Sequence, residues 1–162
     1  MKKFFFFGLL MLLVISYLAC GKTGPTDPVC TPVPVASDSA ALFKFAGDSI
    51  KLTKDTHGLY YHIIDSGSSD PSNHPVFSSN ITVTYVAKLM DHTTIDSAVN
   101  SNLGGAGLYK LIPAWQIAIP KIGVGGRIQI FAPSALAYGC TGYQTIPANA
   151  PLYFDVKLIS FY

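Results

Sequence analysis

At 162 residues the chain is long enough for one domain with a sizeable core, and its composition is ordinary for a globular protein outside the N-terminus. Lys plus Arg number 11 against nine Asp and no Glu, and without Lys2 and Lys3 the two signs balance. A near-neutral chain with no charge run or basic stripe argues against nucleic acid as a partner.

In chain order, Met1 to Ala19 reads as a secretory signal: Lys2 and Lys3, an apolar run from Phe4 onward, then small Ala19 ahead of Cys20. It is too short for a spanning helix. Leu18-Ala19-Cys20 resembles the lipobox of bacterial lipoproteins, which implies acylation of Cys20. Tyr17 stands where that pattern has Leu or Val, so secretion with another cleavage point is the alternative. An acylated Cys20 would hold the protein on a bacterial membrane, the outer membrane being the expectation, facing the periplasm or the cell surface. Residues 20–35, with Pro25, Pro28, Pro32 and Pro34, read as an extended tether.

Ser37 or Asp38 can cap a short helix running through Ala40, Ala41, Leu42, Phe43 and Phe45 and closed by Gly47. Leu59 to Ile64 is aromatic and β-branched and reads as a strand, and residues 65–75 as a loop. Residues 36–75 thus form an N-terminal extension, and 76–162 the main domain. Ile81 to Leu89 alternates as a strand with one buried face, and Asp91 to Thr94 is its turn. Asn100 to Gly107 is a Gly-rich loop. Pro113 opens a two-turn helix with Ile112, Trp115 and Ile119 on one side, stopped by Pro120. Arg127 to Phe131 and Leu152 to Leu158 alternate, their Arg127, Gln129, Asp155 and Lys157 implying a wet sheet face. The class is α+β, a short helix packed on one antiparallel sheet, with an N-terminal helical extension.

Besides Cys20, the cysteines are Cys30 and Cys140, an even pair in an exported chain. A Cys30–Cys140 disulfide is one reading and two free buried thiols the other. His57, His62, His74 and His92 have no ligand spacing, no Ser or Cys sits in a nucleophile elbow, and no cofactor motif is present.

Four segments carry a family resemblance: VTYVAKLMDHTTIDSA (83–98), LIPAWQ (111–116), VGGRIQIFAPSALAYG (124–139) and IPANAPLYFDVKL (146–158). In order and spacing they resemble FKBP-type peptidyl-prolyl cis-trans isomerases, over about residues 76–160. The N-terminal extension and the Cys soon after Cys20 are similar to lipoprotein members from Bacteroidetes-like bacteria. The resemblance implies a twisted antiparallel sheet wrapped around a short helix, with an apolar pocket between them. It implies Trp115 as the pocket floor, Leu111 and Ile112 as the pair contacting the bound peptide, and Tyr85 and Phe154 as walls. Tyr138 matches the tyrosine that binds a ligand carbonyl, Asp96 the pocket carboxylate, and Ile146 the apolar residue of the flap.

The sequence departs from that pattern at Ile95, where the family has Phe, and at Ala114, where it has Gly. The aromatic expected before LIPAW falls in Gly104 to Gly107 and is missing, and Tyr143 lies near the family's flap histidine. Fewer aromatic walls imply weaker binding of prolyl peptides and of family-type macrolides. The implied activity is prolyl isomerisation during folding of exported proteins. The alternative is a lipoprotein module that binds proline-containing segments or a partner without catalysis.

Overall fold

The computed structural model describes residues 30–103, 105 and 107–162. The signal segment, Cys20 and the tether up to Val29 therefore lie outside the described residues, as do Gly104 and Ala106.

One six-stranded sheet organises the chain. Its strands are β1 (Thr53–Lys54), β2 (Tyr60–Asp65), β3 (Ile81–Lys88), β4 (Thr94–Asn102), β5 (Arg127–Ala132) and β6 (Leu152–Phe161). They run in the order β1-β2-β5-β6-β3-β4, every neighbouring pair antiparallel. β6 is central because it can be buried on both faces: Leu152, Phe154, Val156 and Leu158 point one way and Tyr153 the other, all buried.

The first face holds the main core. Helix α2 (Pro113–Ala118) lies there, with Ala114, Trp115 and Ala118 packed against Ile128, Ile130, Phe154 and Val156. Pro113 fits the first helical position because its missing N–H would have no intrahelical partner. Pro120 does not stop the chain from turning: α2 passes at Ile119 into a 3-10 turn, Ile119–Lys121. Such a turn can take a proline early, where its N–H is not needed.

On the opposite face Tyr60, Phe131 and Tyr153 are directly registered across β2, β5 and β6. Helix α1 (Ser39–Ala46) covers them with Leu42, Phe45 and Ala46. The expected wet face is therefore only half wet. Arg127, Gln129, Asp155 and Lys157 occupy the remainder, where Arg127 donates two hydrogen bonds to Asp155 (2.7 and 2.8 Å) and Gln129 donates to the Tyr153 hydroxyl (2.9 Å).

Two local expectations need correction. Asp38 occupies the position before α1 but makes no capping bond; its carboxylate instead accepts from the Ser134 N–H and Oγ, both at 2.7 Å. A tertiary pair of donors in a buried position outcompetes the exposed helix end. The second is the segment 100–107, whose first residues are not loop: β4 extends through Asn102. Two residues, Val99 and Asn100, stand opposite Thr84 alone, and Asn100 takes a left-handed φ of 48°. This is a β-bulge, held by Asn100 N–H donating to Thr84 Oγ1 at 3.0 Å. The Ser, Asn and Ala content of β4 hides a strand whose pairing with β3 supplies what its propensity lacks.

Candidate active site

Trp115 ties the helix to the sheet. Its indole meets Tyr85 edge-on, ring centroids 5.3 Å apart at 87°, and Phe154 likewise at 5.6 Å and 89°. Ala87 is registered against Phe154 and Tyr85 against Val156, so Tyr85 and Phe154 rise diagonally from adjacent strands on one face. Edge-to-face contact places the ring quadrupoles favourably and fixes all three rings.

β4 supplies the carboxylate. Asp96 pairs with Ala87 and Ala98 with Tyr85, so Asp96 lies diagonally across from Tyr85 and accepts a hydrogen bond from its hydroxyl at 2.5 Å. Burial, followed by the hydrogen bond to Asp96 and its charge, drives the Tyr85 phenol far above the usual tyrosine range.

The segment before α2 and the long segment between β5 and β6 close the cleft. Leu111 and Ile112 are half-buried at its side. Gln116 on α2 donates to the carbonyls of Tyr109 (3.0 Å) and Leu111 (2.6 Å), clamping this edge. Tyr138 stacks on Tyr143, with centroids 5.2 Å apart at 12°. A tight turn follows, in which Tyr143 and Ile146 exchange backbone hydrogen bonds of 3.0 and 2.8 Å. Gly142 is required there: at φ 65° any Cβ would collide with the Ile146 carbonyl.

These parts enclose two joined hollows. The first, about 330 Å³, is lined by Tyr85, Asp96, Leu103, Lys110, Leu111, Ile112, Trp115, Tyr138, Tyr143 and Phe154. The second, about 320 Å³, shares Asp96, Tyr138, Tyr143 and Phe154 and adds Ala87, Ile95, Gln144, Thr145 and Ile146. All nine residues singled out from the sequence (Tyr85, Ile95, Asp96, Leu111, Ile112, Trp115, Tyr138, Ile146 and Phe154) line one or the other. Leu103, which precedes the stretch where the aromatic is missing, lines the first hollow, and Tyr143 adds ring surface to both. Sequence reading missed Leu103, Lys110, Gln144 and Thr145, and the clamp of Gln116. Lys110 and Gln116 each adjoin a recognised motif residue, which was the available signal.

The Tyr138 hydroxyl has no hydrogen-bond partner among the described residues. Burial, then the neighbouring Tyr143 and Asp96, raises its pKa, so it stays a protonated donor. Among the described residues no group of three or more His, Cys, Asp or Glu is arranged to hold a metal. The site can therefore present one free O–H donor, one engaged carboxylate and an aromatic floor to an apolar guest.

Cys30 and Cys140 are joined as a disulfide, their Cα atoms 5.3 Å apart. Asn149 donates to the Thr31 carbonyl at 3.2 Å. With the Asp38–Ser134 contact, residues 30–38 are fastened to both ends of the arm that carries Tyr138.

The family model of FKBP-type peptidyl-prolyl cis-trans isomerases matches residues 72–159. The isomerase FkpA of Escherichia coli is 35% identical over 120 residues, 72% of this chain and 42% of that protein. FK506-binding protein 1 of Kluyveromyces lactis is 33% identical over 101 residues, 60% of this chain and 89% of that protein. The crystal structure of Escherichia coli FkpA superposes with a TM-score of 0.64 and 29% identity, covering 78% of this chain and 58% of that one. The chain spans only 41–42% of the length of the FkpA relatives from Aeromonas hydrophila and Escherichia coli. With that match over more than half its length, and an aromatic cleft built by the matched residues, the chain belongs to the FKBP-type peptidyl-prolyl cis-trans isomerase family.

Proposed function

We propose that this protein is a peptidyl-prolyl cis-trans isomerase acting on exported polypeptides from a lipid anchor at Cys20. The observation that carries the catalytic reading is the Tyr85–Trp115–Phe154 floor beside a free Tyr138 hydroxyl. Rotation about an X-Pro amide meets a barrier of roughly 18–20 kcal/mol and takes tens to hundreds of seconds unaided. The planar amide is stabilised by a charge-separated resonance form that the twisted state has lost. An apolar floor withdraws solvation from the planar form more than from the twisted one. Each ~1.4 kcal/mol of that difference is worth about tenfold in rate.

Tyr138 would donate to a peptide carbonyl, while Asp96, already bonded to Tyr85, holds that ring in place. No proton needs to move to or from either group, and no cofactor is called for. Prolyl polypeptides are the substrates, and the name of the Kluyveromyces relative supports weak macrolide binding in the same cleft. Export is supported by the N-terminal pattern Lys2-Lys3, apolar run, Ala19-Cys20, and by a disulfide of the kind that persists in oxidising compartments. Anchoring to the outer membrane, in a style like that of Bacteroidetes lipoproteins, completes the reading.

A second reading, a binding module without useful catalysis, is favoured by Ile95 and Leu103 in place of aromatic walls. An isomerisation assay on the soluble protein from Gly21 onward, which keeps Cys30 and its bridge to Cys140, with Tyr138→Phe and Asp96→Val beside it, separates the two. Turnover at the uncatalysed rate, with prolyl peptide still bound, establishes the module. Metabolic labelling with a fatty-acid analogue, lost in Cys20→Ala, tests the anchor.

A further inference from the structure

The walls of the cleft carry two charges, Asp96 and Lys110. Asp96 is engaged by the Tyr85 hydroxyl. Lys110 is exposed, has no carboxylate partner among the described residues, and lines the first hollow beside Leu111. Its backbone is held at the edge of that hollow. The Lys110 N–H donates to the Gly107 carbonyl at 3.1 Å, and Gln116 takes the carbonyls on either side of it. Its ammonium sits 5.8 Å from the centre of the Tyr109 ring, which leans on Phe77 at 5.9 Å. Gly107 lies so close beneath that ring that a Cβ would strike it. These contacts fix the backbone from which the Lys110 side chain leaves, at the edge of the first hollow, while the side chain itself rests only on the Tyr109 ring.

We infer that Lys110 sets substrate preference: the cleft selects prolyl segments with a carboxylate within about two residues of the proline. The inference rests on the cleft taking prolyl peptides, as proposed above. A cation at the rim attracts an acidic side chain and repels a basic one, Asp96 on the same walls acts in the opposite sense, and both effects weaken with salt. For a rim position the expected discrimination is modest, about two- to fivefold between Glu and Lys peptides.

The test uses short Leu-Pro peptides carrying Glu, Gln or Lys either two residues before or two residues after the proline. Binding is followed by NMR titration and turnover by cis/trans exchange spectroscopy, which needs no coupled protease. The expected result is Glu over Gln over Lys in at least one series, flattened at roughly 0.5 M salt, flattened by Lys110→Met and reversed by Lys110→Glu. Because each readout is a ratio between peptides, loss of overall activity in a variant does not mask it. Equal use of all peptides by a protein that turns over the Gln peptide overturns the inference and leaves the isomerase reading standing. So does a Glu preference that survives Lys110→Glu. A Glu preference in binding without any turnover does the reverse. Absence of binding to every peptide overturns both.

Discussion

The Tyr85 hydroxyl donates to Asp96 Oδ2 across 2.5 Å, so the carboxylate of the cleft is occupied before any peptide arrives. A bare carboxylate beside an apolar floor would draw water toward the amide. Bonded to a phenol that is itself braced edge-on against Trp115, it becomes part of the wall. The phenol left without a hydrogen-bond partner among the described residues is then Tyr138.

Removing the lock should therefore cost activity without unfolding the protein. Tyr85→Phe keeps the edge-on contact with Trp115 and frees Asp96. One neutral-to-charged hydrogen bond corresponds to about 1.5–3 kcal/mol; only part of that reaches the rate, so kcat/KM should fall roughly three- to tenfold, with an unchanged near-ultraviolet circular dichroism spectrum. Wild-type kcat/KM in this variant would show that Asp96 needs no partner.

Asp55 should contribute to the acid limb of the stability profile, and Tyr153 to an alkaline limb it shares with Tyr85 and Tyr138. Burial works to raise the pKa of Asp55, but bonds from the His57 backbone and ring and from Lys121 outweigh it and hold the carboxyl at about 2, against an ordinary 3.8. The folded state thus binds the proton later than the unfolded one. The stability this contributes is complete above pH 3.8 and is lost as pH falls toward 2. Burial, then the charge of Asp155, pushes Tyr153 up to about 12 from 10.0, so its contribution is complete below pH 10.0 and fades as pH rises toward 12. Urea melts across these windows should show the acid limb flattened in Asp55→Asn and the alkaline limb flattened in Tyr153→Phe.

Helix α1 should behave as part of the fold. Leu42 is fully buried against the sheet face opposite α2, among Tyr60, Phe131 and Tyr153. Leu42→Ala should cost about 2–5 kcal/mol, read as a shift of the urea midpoint with a single cooperative transition. A loss below about 0.5 kcal/mol, the range of ordinary surface changes, would mean that α1 is loosely attached.

The Cys30–Cys140 bond closes a sequence separation of 110 residues. Its removal in Cys30→Ser/Cys140→Ser should lower stability by about 2–4 kcal/mol. Because Cys140 follows Tyr138 by two residues, the same variant should raise KM more than it lowers kcat, through a less restrained Tyr138 arm. Two titratable thiols in the unreduced, exported protein would show that the bridge does not form there.

Much of this molecule was legible in local pattern. Alternation marked β3, β5 and β6, since a strand with one buried face must repeat every two residues. Pro113 followed by Trp115 and Ile119 marked α2, and Gly47 marked the end of α1, where φ is 66°. The nine cleft residues were legible through the order of the four segments that resemble the family, residue by residue.

What local pattern could not supply was decided by register and competition between distant groups. The extent of β4 depends on pairing with β3, because its own residues favour no strand. The Tyr85–Asp96 bond depends on the diagonal offset that the β3–β4 register imposes. Asp38 abandons its helix end because two buried donors on Ser134, 96 residues away, outbid one exposed backbone turn. The sequence by itself supplied the nine apolar, aromatic and carboxylate side chains singled out for the cleft, since shape and polarity are properties of side chains, while Leu103, Lys110, Gln144 and Thr145 joined it only through the fold. Only the tertiary structure decided which of its polar groups are already satisfied and which, Tyr138 and Lys110, are left for a ligand. A hydrogen bond between segments far apart in the chain has no local signature.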